Sequence, residues 1–347
     1  MDRRGVDCVL LSLGADLPYF TGYEAMPLER LTMLVAGPKA DPVLVVPELE
    51  APRVPPGPFE LRTWSETEDP IALVAGIAGR PGVAAISDQT WAVFLLELFS
   101  QMTETTFMPA STLTRELRMR KDDQEIAALR RAAEAVDRVL ARIPGEITFA
   151  GRTERDVARR VTEMTLEEGH DTALFWIVAS GPNSASPHHE PGARRIEEGD
   201  AVVIDFGGKL DRYCSDVTRT FVVGEPSPEL LKVHSVVDEA QERSKAAVAP
   251  GVPAERVDEA ARVVIEKAGY GDRFIHRTGH GIGLEVHEHP YLVAGNGIAL
   301  EPGMAFSIEP GIYLPGEFGV RLEDISVVTP TGVEVLNRAD RRLVTVA

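Results

Sequence analysis

The sequence predicts a mixed α/β protein of two domains, and three observations predict it. Apolar runs of strand length alternate with helical segments through the first third of the chain. The character then changes near residue 115, where 115–123 is dense in charge. Beyond that point amphipathic helices come in pairs, each pair followed by β-rich sequence. The chain has 347 residues, 44% of them hydrophobic, which is enough to fill two cores. The expected domains are 1–115 and 116–347.

In the first domain, Cys8–Leu11, 31–36, 43–46 and Val83–Ile86 read as strands bounded by Gly and Pro. The proline-rich stretch 52–58 reads as a surface loop, and 91–102 as a buried helix. Alternation of the two predicts a partly parallel sheet. In the second domain, Asp122 and Glu125 have the spacing of a capping box. Ile126, Leu129, Ala133, Val136, Leu140 and Ile143 then recur at three- and four-residue steps, giving one apolar face. A second helix starts near Thr153, with Asp156 three residues on, and stops at Gly169. A third has Ser227 as N-cap and Pro228 at its first position. A fourth covers 254–268 and ends at Gly269. The β-rich segments that follow, 201–223 and 305–328, suggest a duplicated unit of helix pair plus sheet.

The formal charge is -18, from 54 acidic and 36 basic side chains. Such a surface repels nucleic acid and anionic membranes. No window approaches the roughly 18–20 apolar residues of a membrane span. The N-terminal apolar run is short and interrupted by Asp7, a poor signal peptide. Two cysteines, Cys8 and Cys214, cannot make a disulfide framework, so a cytoplasmic setting is expected.

Two pairs of carboxylates carry the chemistry. AVVIDFGGKLDRYCSDVTRTFVV reads as a hairpin. With its turn between Leu210 and Asp211, Asp205 stands opposite Asp216, their Cβ atoms about 5 Å apart on one face. Such a pair repels by roughly 4 kcal/mol at 4 Å and an effective dielectric of 20. A cation between them turns that penalty into a binding site. Glu309 in MAFSIEPGIY and Glu323 in GVRLEDISVV form a second facing pair about a midpoint near Gly316.

RTGHGIGLEVHEHP adds His280, His287 and His289, and Gly279, Gly281 and Gly283 let the backbone close around His280. His188 lies in the loop-like GPNSASPHHEPG. Four carboxylates and one imidazole are a hard ligand set that suits manganese, cobalt or zinc. Such a set can hold two ions about 3.5–4 Å apart.

The blocks IDFGGKLDRYCSDVTRTF, GHGIGLEVHE, EPGMAFSIEPGIY and GVRLEDIS together resemble the pita-bread metallopeptidase family of prolidases (Xaa-Pro dipeptidases), aminopeptidases P and methionine aminopeptidases. The similarity spans about residues 120–347. The N-terminal third resembles the creatinase-like domain of prolidases and aminopeptidases P, which methionine aminopeptidases lack. The resemblance implies a pita-bread catalytic domain holding two divalent ions, Mn2+ foremost, with Asp205, Asp216, His280, Glu309 and Glu323 as ligands. Asp216 and Glu323 would bridge, and Glu309 would also shuttle the proton of the attacking water. His188 would hold substrate or intermediate, and His287 would stabilise the tetrahedral intermediate. Thr218 would support a ligand, and Arg321 would pair with a metal-binding carboxylate or reach substrate. The substrates implied are short proline-containing peptides, and a homodimer is expected from the family alone.

Many prolidases carry an Arg that holds the dipeptide carboxylate, at a position that falls on Tyr291 here. No Lys or Arg lies between Arg277 and Arg321. The expectation is that Tyr291, helped by His289, binds that carboxylate. A dipeptidase is the favoured reading and an aminopeptidase P the alternative. A metal-free binding protein on the same fold has no reason to keep five ligands, and a creatinase-like amidinohydrolase would have no use for the metals. His170, His189, His234 and His276 read as surface or packing residues, Trp176 as a wall of the pocket.

Overall fold

A computed structural model describes residue 1, residues 4–38 and residues 40–347. It divides into two units, Met1–Leu117 and Arg118–Ala347.

The first unit contains β1 (Cys8–Leu11), α1 (Asp16–Thr21), β2 (Met33–Gly37), β3 (Ala40–Pro47), β4 (Glu60–Trp64), α2 (Pro70–Ala78), β5 (Val83–Ile86), α3 (Ala92–Gln101) and β6 (Thr106–Pro109). A helix, α4 (Ser111–Met119), leads out of it. The sheet order is β4-β3-β2-β1-β5-β6. β1 pairs antiparallel with β2 and parallel with β5, so the sheet is mixed, as the alternation of elements predicts. Successive strand residues point to opposite faces. Leu10, Met33 and Val45 accordingly join one apolar cluster, and Leu11, Leu34 and Leu44 the other. The expected buried helix at 91–102 is α3, but only one face is covered. Phe94 and Leu98 are buried, while Val93, Leu96 and Phe99 face out.

The second unit contains α5 (Asp123–Glu146), α6 (Glu154–Glu167), β7 (Thr172–Ser180), β8 (Ala201–Leu210), β9 (Tyr213–Cys214), β10 (Val217–Val223), α7 (Pro228–Ala247) and α8 (Ala254–Lys267). Then follow β11 (Gly279–Gly281), β12 (Glu288–Leu292), β13 (Ala305–Ile308), β14 (Gly311–Leu314), β15 (Phe318–Arg321), β16 (Asp324–Thr329), β17 (Gly332–Val335) and β18 (Val344–Val346). The predicted capping box forms at Asp122/Glu125, and a second one forms where the next helix starts, at Thr153/Asp156. Ser227 caps α7 through Leu230 N. Gly169 and Gly269 follow their helices with positive φ, the conformation a non-glycine residue resists. The apolar faces of α5 and α6 pack on β7, β8, β10 and β18. α7 packs with α8 against β14 and β15, and α8 also meets β12, β13 and β16. Each helix pair therefore has its own sheet, as the duplicated pattern suggests.

The two hairpin registers differ from each other in outcome. On the second, Ile308 pairs with Asp324 and Gly311 with Arg321, so Glu309 and Glu323 face each other about Gly316, as predicted. On the first, Asp205 pairs with Thr218, not Asp216. The turn lies one residue further on, at Asp211 and Arg212, both of which take positive φ. The pairing has slipped by two residues. An even slip keeps every side chain on its own face. Asp205 and Asp216 therefore remain on the same face, as diagonal rather than direct neighbours.

Candidate metal centre and cleft

The ends of these strands line one cleft of about 510 Å³, walled by Phe175, Ile177, Val286 and Pro187. β8 supplies Asp205, the approach to β10 supplies Asp216, and β11 supplies His280. Glu309 directly follows β13, and Glu323 lies between β15 and β16. All five predicted ligands line the cleft, together with His188, His287 and Arg321.

Asp205, Asp216 and Glu323 each offer an oxygen, all within 4.8 Å of one another. His280, Glu309 and Glu323 form a second such group, and Asp216, His280 and His287 a third. Glu323 and Asp216, expected as bridges, each belong to two groups. His280 Nε2 lies 3.3 Å from Glu309 Oε1 and 3.5 Å from Asp216 Oδ2. Its Nδ1 sits 3.1 Å from Gly281 O. That contact favours a proton on Nδ1 and leaves Nε2 as a lone-pair donor.

The carboxylates are held by one oxygen each. Thr218 Oγ1 donates to Glu323 Oε2 at 2.7 Å, and Arg321 donates to Asp205 Oδ2 at 2.6 Å. Asp205 Oδ1 and Glu323 Oε1 are buried and have no hydrogen-bond partner among the described residues. A buried acceptor left in this state costs roughly 1–3 kcal/mol, more if charged. A divalent cation would satisfy both, and the oxygen-rich set with one imidazole fits such an ion.

Glycines let β11 approach its neighbours. A Cβ on Gly279 would stand 1.9 Å from Ser307 O, and one on Gly281 2.2 Å from His289 O. Here the glycines admit close strand packing rather than a bend, and that packing fixes His280 against β12 and β13. The loop carrying His188 is pinned by Glu154, a residue the sequence did not single out. Its fully buried carboxylate accepts from Ser180 N and Oγ, Asn183 Nδ2 and Gly192 N, and pairs with His189 Nε2.

Several expectations change. Arg321 is almost fully buried, and its donors go to Asp205, Thr218 Oγ1, Tyr313 Oη and Pro187 O. It serves the carboxylate, the first of its two expected roles. His276 lines the cleft and bonds Tyr313 Oη at 2.8 Å, so the plain packing reading misses its place. Trp176 alternates to the other face of β7 and is 42% exposed, leaving Phe175 and Ile177 as the wall. Tyr291 and His289 are not among the cleft-lining residues. Their rings lie 4.7 Å apart, and Tyr291 lies beneath the guanidinium of Arg277, which does line the cleft. The sequence reading passed over Arg277, treating it only as the edge of an interval without cations.

Burial and mutual repulsion raise the carboxyls. Burial, then Glu323, Asp205 and Glu309, pushes Asp216 well above the usual range. Burial, then Glu309 and Asp205, does the same to Glu323. Burial raises Glu309 to about 7 and lowers His280 to about 3. The two classes act oppositely on stability. A histidine with a depressed folded pKa makes stability rise with pH, but only up to its unfolded value near 6.5. A carboxyl with a raised pKa contributes stability that is lost as pH rises through the folded value. The histidine rise tails off about one unit above 6.5, and it counts for all five histidines whose pKa burial lowers, His170, His234, His276, His280 and His287. Above about pH 7.5 the raised carboxyls are the shifted groups that still titrate, so the melting temperature of the metal-free protein should fall from pH 7.5 to 9, by on the order of 2–5 °C. Saturating Mn2+ should suppress the fall, so the metal-induced gain grows with pH. A gain that is flat or shrinks over this window, in paired thermal scans, would argue against metal replacing protons at these carboxyls.

Residues 127–330 match metallopeptidase family M24, and residues 1–120 match the creatinase/prolidase N-terminal domain. The chain is 42% identical to dipeptidase PepE from Mycobacterium ulcerans, with a TM-score of 0.92 over 99% of this chain and 94% of that one. It is 42% identical to a prolidase from Thermococcus sibiricus, with a TM-score of 0.94 over 99% and 95%. An X-Pro aminopeptidase from Thermotoga maritima is 32% identical, with a TM-score of 0.88 over 99% and 97%.

Proposed function

This chain belongs to metallopeptidase family M24, and on that premise we propose that it is a two-metal dipeptidase that hydrolyses the Xaa-Pro bond of dipeptides. The observation that carries the reading is the pair of buried, unpartnered carboxylate oxygens of Asp205 and Glu323 inside a five-residue ligand set. In this reading Asp205, Asp216, His280, Glu309 and Glu323 hold the ions. Mn2+ is favoured, and Co2+ and Zn2+ suit the same donors. Two such ions supply a water of lowered pKa and positive charge beside the attacked carbonyl.

The protein's own groups do the rest. Glu309, facing His280 and accepting from Ser307 Oγ at 3.2 Å, takes a proton from the attacking water. It delivers that proton to the prolyl nitrogen, a tertiary amide that cannot leave unprotonated. The C–N bond breaks, the water oxygen stays on the acyl carbon, and two amino acids depart. His287, with its ring 4.0 Å from that of His280, and His188 donate to the carbonyl oxygen as charge grows on it. Phe175 and Ile177 offer the apolar wall that a pyrrolidine ring needs, since proline's nitrogen has no hydrogen to recognise.

The proposal extends to a cytoplasmic homodimer. Cys8 and Cys214 are both buried thiols, which suits a reducing compartment, and among the described residues no helix is long and apolar enough to cross a membrane. The dimer rests on the family resemblance, and light scattering tests it.

The decisive experiment strips metal with chelator, restores Mn2+, and compares kcat/KM on Ala-Pro and Ala-Pro-Ala. Activity should vanish and return, with Ala-Pro favoured by about tenfold or more, the worth of one charged contact. Preference for Ala-Pro-Ala would make the enzyme an aminopeptidase P. No metal-dependent cleavage of either peptide would remove the proline reading.

A further inference from the structure

Resting on the dipeptidase reading, we propose that Arg277 binds the substrate's C-terminal carboxylate, with the ring of Tyr291 as the platform that holds its guanidinium in the cleft. Among the described residues two guanidinium groups line the cleft, those of Arg277 and Arg321. Arg321 is spoken for by Asp205, Thr218, Tyr313 and Pro187.

Arg277 differs. Its side chain has no hydrogen bond or ion pair among the described residues, and its recorded contact is with the face of Tyr291, 4.3 Å from the ring centroid. This is notable in a chain with 54 acidic and 36 basic side chains, where a cation easily finds a carboxylate. Arg118, Arg142, Arg160, Arg194 and Arg262 all do so. Arg277 is a planar fork of donors, stacked so that its orientation is set, and left open toward the cleft. Stacking on an aromatic face is favourable, and it fixes a side chain that would otherwise lose entropy on binding. Carboxylate is the anion that such a fork matches with two parallel hydrogen bonds.

The cleft then has opposite poles. The carboxylate cluster suits the free amine of a dipeptide, and Arg277 suits its carboxylate. The charge of Arg277 is felt at Glu309, His280 and His287, so it stands within electrostatic reach of the proposed reacting centre. A longer peptide would present a neutral amide to Arg277 and forfeit the charged contact. Arg277 thus selects for dipeptides, and Tyr291 contributes its ring rather than its hydroxyl.

The test uses the Mn2+-loaded full chain, with Ala-Pro, Ala-Pro-amide and Ala-Pro-Ala as substrates. In Arg277→Gln, KM for Ala-Pro should rise about 10- to 100-fold while KM for Ala-Pro-amide changes less than about threefold. Arg277→Lys should recover part of the loss, because it keeps charge but not the fork. Tyr291→Phe should leave the preference for Ala-Pro over Ala-Pro-amide unchanged, and Tyr291→Ala should lower that preference. The Arg277 side chain makes no hydrogen bond among the described residues, so Arg277→Gln should keep the wild-type melting temperature. Equal losses on Ala-Pro and its amide, in a wild type that prefers Ala-Pro, would overturn the role of Arg277 and leave the dipeptidase reading standing. A wild type that prefers Ala-Pro-Ala would remove the dipeptide reading and the clamp with it.

Discussion

Asp216→Asn is expected to abolish turnover and, at the same time, to stabilise the metal-free protein. Asp216 is 3% exposed and stands among Glu323, Asp205 and Glu309, with burial the first cause of its raised pKa. Without a cation, the fold bears a cost at neutral pH either way, by burying the charge among like charges or by holding a proton that the unfolded chain releases. A neutral side chain of the same shape should therefore raise the stability of the metal-free protein near pH 8. With metal the sign reverses. The variant loses a proposed ligand that belongs to both the carboxylate group and a His280 group. Removing a single preorganised electrostatic contact in an enzyme site costs about 10²–10³ in kcat, and loss of metal also removes the activated water. kcat/KM should therefore fall on the order of 10³-fold or more, and Mn2+ should no longer raise the melting temperature. Paired thermal scans with and without Mn2+, beside activity on Ala-Pro, read both signs. A metal-free variant less stable than wild type would show that repulsion at Asp216 is relieved in some other way.

The convergence of the five candidate ligands on one cleft was legible in the sequence because hairpins impose a parity. Glu309 and Glu323 flank a turn at Gly316 whose chemistry is plain, and the register follows from it. The first hairpin misled by two residues because Gly207 and Gly208 look like turn glycines. They are packing glycines instead. A Cβ on Gly207 would stand 2.1 Å from Ser215 O, and one on Gly208 2.4 Å from Thr172 O. The turn falls to Asp211 and Arg212, which take positive φ without being glycine. Asp211 N donates to Asp171 Oδ2, and Arg131 donates to Asp211 Oδ2, ties no local pattern reveals. The site survived the error because the slip was even. Arg277 was missed for a related reason. β11 pairs with β12, with Gly279 opposite Leu292 and His280 opposite Tyr291. A residue just before β11 is thereby brought over Tyr291 in space, though far from it along the chain. Glu154 likewise acts on a loop more than twenty residues downstream, which spacing alone does not expose.

Beside Glu323 lies a second charged arrangement, and its removal should cost the fold more than any ligand change. Asp324 is 2% exposed and accepts from Arg219 at 2.6 Å and Lys245 at 2.7 Å. Burial alone would raise its pKa, but Arg219 and Lys245 together hold it below the usual value. Arg219 also donates to the carbonyls of Thr218 and Glu323. It thus joins the strand that supports one ligand to the segment that carries another. Asp324→Ala would leave buried Arg219 without its anion and Lys245 with only the half-exposed Glu242 at 3.6 Å, a change of the kind that typically costs about 3–5 kcal/mol. The proposed metal ligands themselves would remain. Activity should therefore fall less than in Asp216→Asn, while the Mn2+ concentration needed for half-activation rises about 10- to 100-fold, as for other groups that orient ligands. The pH signature separates the two variants. Asp324 has a depressed folded pKa, so its stability contribution is present above its unfolded pKa and is lost only as pH falls through the folded value. The deficit of Asp324→Ala should thus be constant from pH 5 to 8, whereas the gain of metal-free Asp216→Asn should grow with pH. Urea unfolding at several pH values measures both. A deficit below about 1 kcal/mol, or one that changes steeply above pH 6, would mean that water rather than Asp324 balances Arg219 and Lys245.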